Sequence, residues 1–197
     1  MTTITTRSPG RPRDPAMGQR VRHAACRVYG RHGWSGFSID AVAREAGVGK
    51  ASIYLRWPDR RTLLIDSLVT TLVTVEDVDT GSLPGDLREI VTHHMRYYFG
   101  DLKAAAFRMA TEASMTPELR ETWDTWRASQ VHAARSTVRR GIDRGELRPG
   151  TSVTLLLDTL LGGALMHALV APAVMDADGI DELAASLVDF VLAAADS

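Results

Sequence analysis

The sequence has a single cysteine, Cys26, in 197 residues. No intramolecular disulfide can brace it, and a reducing compartment, the cytoplasm, is the expected setting. One cysteine and the scattered histidines His23, His32, His93, His94, His132 and His167 leave a soft-metal site short of ligands. They make no His-Glu-x-x-His pattern, and neither a phosphate-cradling glycine loop nor a dinucleotide fingerprint occurs. No catalytic constellation and no cofactor are expected, so the chain does not read as an enzyme. Internal repeats, low-complexity tracts and sustained strand-like alternation are missing as well, which leaves an all-α fold. Behind Met1–Thr6 come arginines and prolines instead of an apolar stretch, so no secretion signal is expected there.

What is present is divided by charge. The formal net charge is −1, but residues 1–62 hold 12 Lys+Arg against 4 Asp+Glu, and the remainder holds 11 against 20. A basic block on an otherwise acidic chain is the footprint of a polyanion-binding module joined to a part that does not bind nucleic acid. At 197 residues with 45% hydrophobic content, the chain is long enough for one sizeable core or for a small domain fused to a larger one. From Val153 to Met175 the chain is almost continuously apolar and long enough to cross a bilayer. Asp158, His167, Pro172 and the Gly162-Gly163 pair argue against a membrane span. A helix apolar nearly all round is also what a soluble protein uses when one face meets its own core and the other a partner.

Along the chain, residues 1–15 read as a flexible basic arm carrying Arg7, Arg11 and Arg13 between prolines. From Met17 to His32, Val21, Ala24, Ala25, Val28 and Tyr29 recur at helical spacing until Gly33 ends the run. Ser38 is a good N-cap for a short second helix with Ile39, Val42, Ala43 and Ala46 inward, and Gly47 stops it. A third helix runs from Lys50 to about Trp57, and Pro58 opens a fourth. Two short helices joined by a tight glycine-containing turn make a helix-turn-helix. Breaks at residues 81–85, 100, 115–117, 145–150 and 171–179 then divide a wholly helical remainder, giving about nine helices. The expected domains are 16–62, which binds DNA, and 63–197, which senses an effector and dimerises.

The stretch from Phe37 to Leu64, FSIDAVAREAGVGKASIYLRWPDRRTLL, resembles the DNA-binding domain of the TetR/AcrR family of regulators. Ala24-Ala25, Tyr29 and Gly33-Trp34 fit the opening helix of that family. A helix that enters the major groove needs short or polar side chains at its leading end, and Lys50, Ala51 and Ser52 supply them. Tyr54 can donate to a phosphate, which fixes register without reading sequence. Arg56 can reach a guanine edge in bidentate fashion, while Leu55 can touch only a thymine methyl or pack. Ser38 and Arg60 stand where helix N-termini meet phosphates, and the resemblance implies backbone contacts for both. Gly49, Ala51 and Trp57 depart from the family's usual serine, glycine and phenylalanine. Gly49 gives up a side-chain cap, and Trp57, like Ile53, reads as core. Arg11 and Arg13 either lie in an A·T-rich minor groove or form a solvated tail.

In the second half, His94 and Tyr98 are polar-tipped residues on an otherwise apolar helical face. With Met109, Trp123, Trp126, Met166 and His167 they are the candidates for a mostly apolar effector pocket. The resemblance implies a small-molecule pocket between the C-terminal helices, without identifying these seven as its lining. Two late helices, about 152–170 and 180–194, carry broad apolar surfaces and are the expected homodimer interface. The resemblance implies a four-helix bundle there and a repressor that an effector releases from a palindromic operator. The alternative is an architectural or protein-partnered DNA-binding regulator with no small-molecule ligand.

Overall fold

The computed structural model describes residues 15–72, 78–171 and 175–195. Among them are nine α-helices and no strand: α1 (Pro15–Gly36), α2 (Ile39–Ala46), α3 (Lys50–Tyr54), α4 (Arg60–Thr71), α5 (Leu83–Phe99), α6 (Lys103–Glu112), α7 (Pro117–Asp143), α8 (Val153–Val170) and α9 (Ala177–Ala195). The all-α expectation holds. A short 3-10 turn, Ala113–Met115, leads from α6 into α7. The basic arm, including Arg11 and Arg13, lies outside the described residues.

The breaks follow from capping chemistry. Ser38 caps α2 by accepting from the Ala41 amide at 3.2 Å. Gly47 closes it in the left-handed conformation at φ 65°, with the Val48 amide returned to the Ala43 carbonyl. Ser82 and Ser152 cap α5 and α8 in the same way as Ser38. Pro84 and Pro117 occupy first-turn positions, where a missing amide costs nothing.

Three boundaries differ from expectation. Gly33 does not end α1 but kinks it at φ 64°, and helical turns resume to Gly36. The third helix stops at Tyr54, because the Arg56 and Trp57 amides both return to the Ile53 carbonyl and tighten the chain into a turn. Pro58 does not open α4, because Asp59 caps it and accepts from the Thr62 amide at 2.8 Å.

Two cores result. The first gathers Val21, Ala25, Tyr29, Phe37, Val42, Ile53, Trp57 and Leu64 and continues past residue 62 into Leu102, Ala105, Met109 and Leu119. Cys26 is sealed inside it with its Sγ 3.6 Å from the Ser67 carbonyl, and burial pushes the thiol up to about 12. The second core joins α5, α7, α8 and α9 through Leu87, Val91, Met95, Val138, Leu160, Ala164 and Val188.

A polar clamp closes the far end of the second core. Asp86 is fully buried yet held below the usual carboxylate range. Burial alone would raise it, but the Thr80 amide and hydroxyl at 2.6 and 2.7 Å and Arg144 at 3.2 Å outweigh that. Glu146 in turn pairs with Arg144 and accepts from the Leu83 amide, tying the start of α5 to the α7–α8 connection.

Helix α8 is the one described helix long and apolar enough to cross a membrane, with a mean hydropathy of 1.8. Leu156, Leu157, Leu160, Ala164 and Ala168 meet the second core. Leu155, Met166, Leu169 and Val170 stand on the opposite side, and Phe190 of α9 is exposed as well.

Candidate nucleic-acid interface

Helices α2 and α3 are locked together from beneath. Ile53 and Trp57 are buried, as expected, and the Trp57 indole donates to the Asp66 carboxylate of α4 at 2.7 Å. Arg22 of α1 donates to the same oxygen at 2.8 Å, with its guanidinium 5.6 Å from the centre of the Trp57 ring. One carboxylate therefore fixes α3 against both α1 and α4. Glu45 does the same for α2, accepting from Arg27 and Arg31 of α1, and these bonds hold it below the usual carboxylate range. Asp66 and Glu45 were not singled out by sequence reasoning. Their partners on α1 lie 44 positions from Asp66 and 14 and 18 from Glu45, and no local pattern links residues so far apart.

The upper face of α3 is open. Lys50, Ala51, Tyr54, Leu55 and Arg56 are exposed and Ser52 half-buried. Leu55 is 87% exposed and Tyr54 53%, although neighbouring Ile53 is fully buried. Tyr54 and Leu55 give this face apolar surface beside the exposed cations Lys50 and Arg56. Gly49 provides no side-chain cap to α3, as its sequence suggests.

The cations of this face have intramolecular partners. Lys50 pairs with Asp40 at 2.7 Å, both more than half exposed. The Arg56 side chain lies along the start of α1 beside Gly18. Arg60 places its guanidinium 4.2 Å from the centre of the Trp34 ring and donates to the Phe37 carbonyl at 3.1 Å. Ser38 spends its oxygen on the Ala41 amide.

A second set of contacts joins this head to the rest of the chain at the kink in α1. Arg108 of α6 donates to the Gly30 carbonyl at 2.8 Å and pairs with Glu112 at 3.1 Å. Glu112 accepts from the Trp34 amide at 3.1 Å. The kink exposes an amide that a continuous helix would have satisfied, and α6 supplies its acceptor. Trp34 then stacks on Phe37, with ring centres 6.3 Å apart, and receives Arg60. A polar chain thus runs from α6 through the kink to the first turn of α4.

The effector candidates are spread through the second half. Met109 is buried in the first core, and Trp123 packs against it. The His94 ring turns back to the Ile90 carbonyl at 2.8 Å, and burial lowers its basicity. Because a carbonyl only accepts, Nδ1 carries the proton in the neutral ring, and Nε2 is left as an acceptor. Tyr98 stacks on Phe107 with centres 5.0 Å apart, and burial raises its hydroxyl above the usual range. His167 lies tilted 6.4 Å from Phe99, and Met166 points outward from α8. The Trp126 side chain lies outside the described residues.

Two cavities open elsewhere. One of about 500 Å³ is lined by Gln19, Arg22, His23, Thr70, Thr71, His93, Arg96, Tyr97, Gly100, Asp101 and Leu102, between α1, α4 and α5. Another, of about 630 Å³, lies between α4 and α7 beside Ile65, Val69 and Thr125. None of the six described effector candidates lines either cavity.

Comparison with known proteins places both halves. A profile described as bacterial regulatory proteins, tetR family, matches residues 21–66, and one described as tetracyclin repressor-like, C-terminal domain, matches residues 77–187. The chain is 32% identical over 157 residues to the HTH-type transcriptional regulator AqdR of Rhodococcus erythropolis, covering 77% of this chain and 73% of that protein. Among solved structures, its fold is similar to the fatty acid degradation regulator FadR from Bacillus halodurans at a TM-score of 0.71, with 15% identity over 88% of this chain and 97% of that one. It is also similar to the transcriptional regulator FadR from Bacillus subtilis in complex with stearoyl-CoA, at 0.67 and 17% with the same coverage.

Proposed function

The chain belongs to the TetR family of transcriptional regulators, and from that premise we propose that it is a homodimeric repressor that binds a palindromic operator and is released by a small, largely apolar effector. Residues 16–62 form the reading head, and residues 63–197 sense and dimerise. The observation that carries the reading is the face formed by α3 and the turn after it, where Lys50, Ala51, Tyr54, Leu55 and Arg56 stand exposed together above the buried anchors Ile53 and Trp57. Lys50, Ala51, Ser52 and Tyr54 meet the groove edge and phosphates, Arg56 reads a base pair, and Ser38 and Arg60 hold the flanking backbone. Arg60 and Lys50 exchange their present partners for phosphates in doing so. Arg11 and Arg13 add minor-groove contacts.

The uncovered apolar face of α8, joined by Phe190, supports the dimer. A twofold axis through it sets two reading helices roughly one DNA turn, about 34–36 Å, apart. Because its target is chromosomal DNA, the protein works in the cytoplasm. The effector enters the α5–α9 body near His94, Tyr98, Met109, Trp123, Trp126 and His167, whereas Met166, also a sequence candidate, stands on the outer face of α8 with the dimer surface. An apolar ligand is supported by the stearoyl-CoA in the complex of Bacillus subtilis FadR. Release is a population shift, in which a coupling of about 1–3 kcal/mol weakens operator binding roughly 5- to 150-fold.

Selection of bound duplexes from a randomised library at near-physiological salt tests the proposal. Enrichment of an inverted repeat is the expected result. Enrichment of single half-sites would remove the dimer, and enrichment of nothing would remove the sequence-specific repressor.

A further inference from the structure

We propose that the cavity of about 500 Å³ between α1, α4 and α5 is a second binding site, which takes a small anionic metabolite through Arg22, His23, His93 and Arg96. Its size falls within the range of about 300–1,000 Å³ usual for small-ligand pockets. Its lining is mixed and not mostly apolar. Two permanent guanidinium charges face one carboxylate, Asp101, while two imidazoles and the Tyr97 hydroxyl add polar groups.

The pairing of these charges favours an anion. Asp101 lies 3.7 Å from Arg27 of α1, so the negative group of the lining is drawn to a cation that is not part of it. Arg96 reaches Asp181 only at 3.9 Å, with its side chain 59% exposed, a loose pair that solvent screens. Arg22 keeps an ion pair through its Nε with Asp66 at 2.8 Å beside the Trp57 ring, so the loosely held charge of the lining is that of Arg96. The His93 ring stands at 82° to Tyr97 with centres 5.1 Å apart, and the Tyr97 hydroxyl is 3.3 Å from Nε2. Two planar guanidinium forks suit the oxygens of a phosphate or a carboxylate.

The position gives such a ligand a consequence. Arg22 and His23 belong to the reading head and His93 and Arg96 to α5, so an anion held by both ties the head to the body across their seam. The site is separate from the exposed face of α3 and from the proposed effector residues, and it stands or falls independently of them.

The test uses the full chain, titrated with sodium phosphate and with sodium citrate at ionic strength fixed by sodium chloride, with the thermal midpoint as readout. A saturable rise is expected for at least one of the two anions. Arg96→Gln raises the half-saturating concentration about tenfold or more, the loss of one charge-assisted hydrogen bond. His93→Gln weakens the response independently. Asp181→Asn, which breaks the same loose pair but keeps the guanidinium, retains it. Lys50→Gln on the reading face also retains it, which separates this site from phosphate binding at the DNA surface. No saturable rise with either anion, a rise that survives both Arg96→Gln and His93→Gln, or one that disappears in Lys50→Gln instead, overturns the proposal.

Discussion

Gly30→Ala should destabilise the protein, although glycine inside a helix ordinarily invites the opposite expectation. Replacing glycine by alanine in an unobstructed helix interior gains about 0.5–1 kcal/mol, because the unfolded chain loses freedom. At Gly30 the added Cβ would stand 2.8 Å from the Ala105 nitrogen and 3.1 Å from the Ala104 carbonyl carbon. Comfortable contact begins at about 3.5 Å, so α6 must retreat by roughly 0.7 Å. The obstacle is backbone, which cannot swing aside, and overpacking of this kind costs about 1–3 kcal/mol. The same retreat stretches the 2.8 Å bond from Arg108 to the Gly30 carbonyl. A net loss of about 1–2 kcal/mol is expected, read in urea as a lower midpoint with an unchanged slope. Gly18→Ala on the same helix is the control, since its Cβ meets only the ends of the flexible Arg56 and Arg22 side chains. If Gly30→Ala is as stable as Gly18→Ala, the close approach of α6 to α1 does not exist as described.

Four further outcomes follow. Glu112→Ala should cost about 1–3 kcal/mol in urea, because the Trp34 amide at the kink loses its acceptor, while Glu112→Gln keeps an acceptor and should recover most of that loss. Equal losses in the two variants would deny the kink its hydrogen bond. In operator titrations, Tyr54→Phe should weaken binding uniformly across sequences, whereas Arg56→Ala should cost about 1–3 kcal/mol at one base pair and relax the choice there. A sequence-independent loss in Arg56→Ala would make it a phosphate contact. Cys26, with its thiol pushed up to about 12 by burial, should react with a disulfide reagent at pH 8 only as fast as the protein opens. Prompt labelling of the native protein would contradict that burial. Phe190→Asp should lower the dimer mass in sedimentation while leaving helix content intact, and an unchanged mass would move the interface away from this face.

The reading head was largely legible in the sequence because its signals are local. Ser38, Gly47 and Gly49 punctuate α2 and α3 within 12 residues, and apolar spacing predicted the buried roles of Val21, Ala25 and Tyr29. The expected stop at Gly33 became a kink because its amide neighbour Trp34 is satisfied by Glu112, 78 positions away. Pro58 lost the start of α4 to Asp59, whose carboxylate reaches the Thr62 amide while proline has no comparable acceptor. The sensing half was less legible. An aromatic or methionine residue at helical spacing fills a core as readily as it lines a pocket, and Met109 and Met166, alike in sequence, lie buried and exposed respectively. The Arg22–Asp66–Trp57 link and the α6 clasp on α1 join residues whose separations carry no periodic signal.

The first core draws on α1, α2 and α4 but also on Ala105, Met109 and Leu119, and this limits how regulators of this kind can be recombined. A hybrid cut at the charge boundary near residue 62 would give a foreign body the DNA specificity of this head while stripping the head of part of its interior. A workable graft must carry the matching inner surfaces of α6 and α7, or choose a recipient whose own helices present small residues at the same places. The outer face of α3 can therefore diverge freely, while the seam between the head and the body has to change in matched pairs.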